Sequence, residues 1–129
     1  MRRIAGNVSD GPPAAGPYSH YVIANGLVFV SGQGCWDPAT GGLNKGPVDA
    51  QTRLTLRNVE RVLLAAGSSL DRVVRCSVFL ADMADFPAMN AVYAEFFPHD
   101  PPARTTVAAA ALPGGMAVEI DCIAVVGDA

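Results

Sequence analysis

Arg104 follows Pro101-Pro102-Ala103 and precedes an apolar run, so a guanidinium stands where a rigid turn enters a strand rather than on a freely solvated helix. Held there, it offers two parallel N–H donors to a carboxylate, the geometry that recognises a small organic acid. The other reading of the same residue is an ordinary surface or interface ion pair. Glu119 lies inside an otherwise apolar strand pattern, where a carboxylate is costly to bury and where desolvation raises its pKa toward a range useful for moving protons. Asp121 shares its parity, and alternation alone leans toward a solvent-facing position for both acids.

Two short segments could line a pocket. Ser31-Gly32-Gln33 joins a position of close backbone approach to polar side chains, and Gly16-Pro17-Tyr18-Ser19 adds an aromatic ring, although each is equally at home in a plain turn. His20 and His99 read as structural or exposed residues, and no order of His, Asp and Ser spells a hydrolase triad. Cys35 lacks an identifiable base, which makes it a poor nucleophile. Cys35, Cys76 and Cys122 form an odd set without a Cys-x-x-Cys pair, and the chain has only 2 histidines, a combination that predicts free thiols and no metal site.

These residues must be positioned by elements that the pattern makes legible. Tyr21 to Gln33 holds two runs rich in valine and isoleucine around Asn25-Gly26, a pair suited to the positive φ angles of a tight hairpin. A Gly/Pro-rich loop follows, from Asp37 to Pro47. Leu56, Val59, Leu63 and Ala66 recur at helical spacing between Pro47 and Gly67, predicting a helix over 48–66 whose Gln51, Arg53, Arg57, Glu60 and Arg61 form a solvated face. Val73 to Leu80 alternates as a strand. Phe86, Met89, Tyr93 and Phe96 predict a second helix ending near Pro98, with Asp85 as N-cap and its aromatic stripe in the core. Thr105 to Leu112 and Met116 to Val126 read as two strands separated by Pro113-Gly114-Gly115. The order ββαβαββ predicts an α+β fold, with helices covering one face of a mixed sheet and the other face left for a partner subunit.

Composition bounds the partners. The 129 residues suit a single domain, with residues 1–15 as a partly irregular N-terminal extension. A hydrophobic share of 50% against 16% charged residues suggests that some apolar surface is covered by other subunits. The net charge of −3 provides no field to attract a phosphate backbone, so nucleic acid is not the expected partner. The apolar runs are far shorter than the ~20 residues of a membrane helix, and Met1-Arg2-Arg3 is not followed by an apolar signal core. A cytoplasmic location, with no membrane association, is the expectation.

Read in order, Gly16-Pro17-Tyr18-Ser19, Ser31-Gly32-Gln33, Val78-Phe79-Leu80 with Asp82, Asp85-Phe86 and Asn90, Tyr93 to Phe97, Pro102 to Val107, and Val118-Glu119-Ile120 closely resemble the RidA family of reactive intermediate deaminases, also called the YjgF type or endoribonuclease L-PSP-like proteins. The resemblance runs from about Gly16 to Val126. It implies a chorismate-mutase-like fold assembled as a homotrimer, with active sites in clefts between neighbouring subunits. It also implies that Arg104 binds a substrate carboxylate, that Glu119 positions or activates the hydrolytic water, and that Tyr18, Ser31, Gly32, Asn90 and Thr106 shape the cleft. The implied reaction is hydrolysis of 2-enamino and 2-imino acids to 2-keto acids and ammonia, without metal or organic cofactor. The chain departs from the pattern in three places: Thr106 stands where many relatives have cysteine, His20 where glutamine is common, and Gly34-Cys35-Trp36 replaces an aliphatic-proline sequence. The rival readings are a non-catalytic trimer that senses small carboxylates, a ribonuclease and a structural trimer. The acidic charge and the lack of an aromatic-basic motif weigh against the ribonuclease.

Overall fold

A computed structural model describes residues 2–127. Ten elements follow one another: β1 (Ile4–Gly6), β2 (Tyr21–Ala24), β3 (Leu27–Gln33), β4 (Trp36–Asp37), β5 (Gly42–Leu43), α1 (Val48–Ala65), β6 (Val73–Leu80), α2 (Phe86–Phe96), β7 (Ala103–Ala108) and β8 (Val118–Val125). Asn25 and Gly26 both adopt positive φ, as a tight hairpin between β2 and β3 requires. Pro47 precedes α1 and Gly67, at φ +82°, lies just past its end, where left-handed geometry stops a helix.

Six strands form one mixed sheet in the order β1-β2-β3-β8-β6-β7, antiparallel throughout except for the parallel pair β6–β7. Both helices lie on the same face. Leu56, Val59 and Leu63 of α1 and Met89 and Tyr93 of α2 meet Val28, Val30, Val78, Leu80, Val118 and Ile120 of the sheet in one core. The other face presents Phe29 and Val107, both exposed, beside the partly buried Phe79 and Ile123. Among the described residues, no helix is long and apolar enough to cross a membrane.

The expected α+β architecture is present, with differences that have physical causes. β1 adds an edge strand, paired with β2, inside the segment expected to be an irregular extension. β4 and β5 form a small hairpin within the Gly/Pro-rich loop. β7 starts earlier than its apolar run and also stops earlier: β6 ends at Leu80 opposite Ala108, the Ala109 N–H makes a last bond to the Leu80 carbonyl at 2.8 Å, and 110–112 run past the end of β6. Gln51 is not on a solvated face: it is buried, its Nε2 donates to the Gly46 carbonyl at 2.8 Å, and its Oε1 accepts from the Ala117 N–H at 2.9 Å. Asp85 stands before α2 without a side-chain cap; Asp82 instead accepts from the Ala84 N–H at 2.9 Å and caps the turn ahead of it.

Candidate functional site

The chemistry-bearing residues fall into two groups on opposite faces of the sheet. In β7, Arg104 and Thr106 pair with Cys76 and Val78, which point into the core, so both side chains lie on the helix-covered side at the sheet edge. Phe86, Met89 and Tyr93 recur along one face of α2, and that face meets the guanidinium. The Arg104 Cζ lies 4.7 Å from the Tyr93 ring centroid and 5.6 Å from that of Phe86, both within the range of cation–π attraction. Its Nη1 is 3.9 Å from the Met89 sulfur. Among the described residues the one ion pair joins Arg53 and Glu95, and Arg104 has no carboxylate partner among them. Asn90 follows Met89 on α2, and the buried Asn90 Oδ1 and Thr106 Oγ1 have no hydrogen-bond partner. A guanidinium held over two rings with its N–H donors unpaired is suited to receiving an anion.

The second group lies on the open face. The register between β3 and β8 shifts between Val30 and Gln33, so both of these residues are buried while Ser31 and Gly32 turn outward. Such a bulge re-aims side chains at a sheet surface. It brings Gly32 against Glu119: a Cβ added at Gly32 would lie 2.5 Å from Glu119 Oε2. Tyr18, Ser31, Gly32, Pro113 and Glu119 line a cleft of about 320 Å³. The Ser31 hydroxyl donates to the Ser19 carbonyl at 2.6 Å, and the Tyr18 hydroxyl accepts from the Ala15 N–H at 3.1 Å, which ties the approach to β2 against this cleft.

Burial pushes the Glu119 carboxyl above its ordinary range, and repulsion from Asp121 adds to the shift. Asp121 is also raised by burial, but hydrogen bonds from Ser77 and the charge of Arg75 oppose that rise. A carboxyl tuned upward next to a cleft is better suited than an ordinary glutamate to take and return a proton. The thiols differ from this. Cys35, Cys76 and Cys122 are all free and buried, and burial raises the pKa of each, so none is poised as a nucleophile.

His20 is buried, and its Nδ1 accepts from the Val8 N–H at 2.8 Å. The aromatic stripe of α2 does belong to the core, but Phe86 and Tyr93 also form the seat of Arg104, a second role that residue type alone did not reveal. The signal available in the sequence was their shared helical face with Met89. Among the described residues, no group of three or more metal-ligating side chains is assembled.

Comparison with known proteins gives a consistent result. The endoribonuclease L-PSP family model matches residues 8–126. Protein DfrA of Myxococcus xanthus is 46% identical over 127 residues, which span 97% of this chain and 97% of that protein. The 2-iminobutanoate/2-iminopropanoate deaminase of Capra hircus is 42% identical over 127 residues, or 98% of this chain and 92% of its own length. A crystal structure of the yeast protein YEO7 matches with a TM-score of 0.94 at 39% identity, covering 98% of this chain and 100% of the other. The bulge at Ser31-Gly32, the unpaired arginine at the mouth of β7 and the glutamate in β8 therefore sit on a shared framework, and the chain belongs to the endoribonuclease L-PSP family, the RidA or YjgF type.

Proposed function

We propose that this protein hydrolyses 2-imino and 2-enamino acids to 2-keto acids and ammonia in clefts shared between the subunits of a homotrimer. The observation that carries this reading is the unpaired Arg104 guanidinium, held over two aromatic rings beside buried polar atoms without partners. The deaminase name of the Capra hircus relative supports the same reading.

In the proposed reaction, Arg104 anchors the substrate carboxylate through two N–H donors, with Asn90 and Thr106 beside it. An enamine tautomerises by taking a proton at its terminal carbon and losing one from nitrogen, which gives the imine. Glu119 removes a proton from water as the oxygen attacks the imine carbon, and the electron pair of the C=N bond moves to nitrogen. Return of that proton to nitrogen gives the carbinolamine; transfer of the second proton from its hydroxyl to nitrogen through the same carboxylate then breaks the C–N bond, closes the C=O bond and releases ammonia and the keto acid. Tyr18, Ser31 and Gly32 bound the space in which water and substrate meet. The imine is already electrophilic, so orientation and proton transfer suffice as sources of rate.

Arg104 and Glu119 lie on opposite faces of one protomer's sheet, so a single protomer does not surround a small acid with both. A neighbouring copy that covers the open face would bring its own Arg104 edge to the Glu119 cleft, which is why the homotrimer belongs to the proposal. The buried free thiols suit a reducing compartment, and we place the protein in the cytoplasm.

The test is ammonia and keto-acid release from imino acids generated in situ by an amino-acid oxidase. Wild type should accelerate release, and Arg104→Ala should lower kcat/KM by about 10²-fold or more, the loss of two charge-assisted hydrogen bonds. Tight binding of keto acids without any acceleration would replace catalysis by carboxylate sensing.

A further inference from the structure

A second compartment lies beside the Glu119 cleft. It measures about 370 Å³ and shares Tyr18, Gly32, Pro113 and Glu119 with that cleft, so the two adjoin across these residues. Its remaining walls include Pro12, Pro13, Trp36, Leu43 and Met116, all uncharged. The titratable side chains on its lining, besides the tyrosine, are Glu119 at the junction and His20, whose Nδ1 accepts from the Val8 N–H. Gly34 has no side chain, and Met116 packs through the space a Cβ there would occupy, which seats the methionine against this wall. The short β4–β5 hairpin holds Trp36 opposite Leu43, which fixes the outer wall.

Its polar atoms are unusual. His20 Nε2, Gln33 Oε1 and Trp36 Nε1 are buried without partners, and all three residues line this compartment. Because His20 Nδ1 accepts from the Val8 N–H, the neutral ring carries its proton on Nε2. The residues around the compartment therefore carry two buried N–H donors and one buried carbonyl acceptor behind mostly apolar surfaces, a composition typical of small-molecule sites.

We propose that this compartment receives the side chain of the substrate, and that the protein prefers 2-imino acids with uncharged side chains of leucine or methionine size over the alanine type. This inference rests on the deaminase reading and adds the substrate class. An apolar side chain in the compartment leaves water and gains contact with Trp36 and Met116, whereas a methyl group leaves the space unfilled. A second carboxylate would be repelled by Glu119 and would find no cation on the lining.

The experiment measures kcat/KM with imino acids formed by D-amino-acid oxidase from D-alanine, D-leucine and D-methionine, and by D-aspartate oxidase from D-glutamate; the imino acids have no stereocentre at C2. The leucine and methionine types should exceed the alanine type by about tenfold or more, and the glutamate type should be the poorest. Leu43→Trp, which fills the compartment from its exposed rim, should lower the ratio of leucine-type to alanine-type turnover. A ratio compares two substrates on one preparation, so partial misfolding of the variant does not mimic the effect. Equal or better turnover of the alanine or glutamate type by wild type, or a ratio unmoved by Leu43→Trp, would overturn the side-chain compartment while leaving deamination intact. Acceleration of none of the four substrates would overturn the deaminase reading, and this inference with it.

Discussion

Gly32→Ala isolates the position of Glu119 from its chemistry. The added methyl carbon would lie 2.5 Å from Glu119 Oε2, 2.9 Å from Cδ and 3.2 Å from Cγ. Gly32 does not occupy the left-handed region, so alanine meets no backbone strain there. The clash falls on the far end of a flexible side chain, which can swing away at little cost to the fold. Restoring ordinary van der Waals separation moves the carboxylate by roughly 1 Å, and a displacement of that size at a reacting centre costs on the order of 10²-fold in rate. The barrier then rises by about 2.7 kcal/mol, while stability changes by less than about 1 kcal/mol. Stopped-flow or coupled measurement of ammonia release gives the first quantity and urea denaturation the second. A Gly32→Ala protein with wild-type stability and kcat within about threefold of wild type would show that water is not handled by Glu119 in this seat.

Three further outcomes follow from the same geometry. Because burial and Asp121 raise the Glu119 pKa, the base form appears as pH rises through that raised value; kcat should climb over this window, and Glu119→Gln should be nearly inactive and lack that limb. The sign for stability is opposite: the folded state holds the Glu119 proton more tightly than the unfolded state, so this contribution is complete below the ordinary glutamate pKa and is lost as pH rises through the raised one. Glu119→Gln should accordingly raise Tm at pH 8 relative to wild type, with little change at pH 4; equal shifts at both pH values would refute the linkage. Gln51→Ala leaves the Ala117 N–H and the Gly46 carbonyl without their partner and should cost about 2–4 kcal/mol in urea denaturation, whereas Arg53→Ala on the exposed Glu95 pair should cost less than about 1 kcal/mol.

Much of the fold was legible because its punctuation is local. Pro47 and Gly67 bracket α1, Asn25-Gly26 turns the first hairpin, and the alternation of β6 runs to the residue at which the strand ends. β1 escaped because three residues are too few to show a period; its strand character comes from pairing with β2. The position of β8 between β3 and β6, with β7 parallel at the edge, depends on long-range pairing that no single-strand pattern encodes. Gln51 was misread for a related reason: hydropathy treats it as polar, and only the folded chain supplies the carbonyl and amide that make burial tolerable. In the site, residue types identified Arg104 and Glu119 as candidates, and parity within each strand was visible. Their separation onto opposite faces was not, because it requires the registers of β6 with both β7 and β8.

That separation has a genetic meaning. Where each site takes its arginine edge from one subunit and its glutamate cleft from the next, two alleles that are each inactive can restore one another. A cell that expresses an arginine-defective and a glutamate-defective copy together would assemble mixed rings in which some interfaces join two sound halves. Loss of function at this locus would then depend on which pairs of alleles meet, and not simply on how many are damaged.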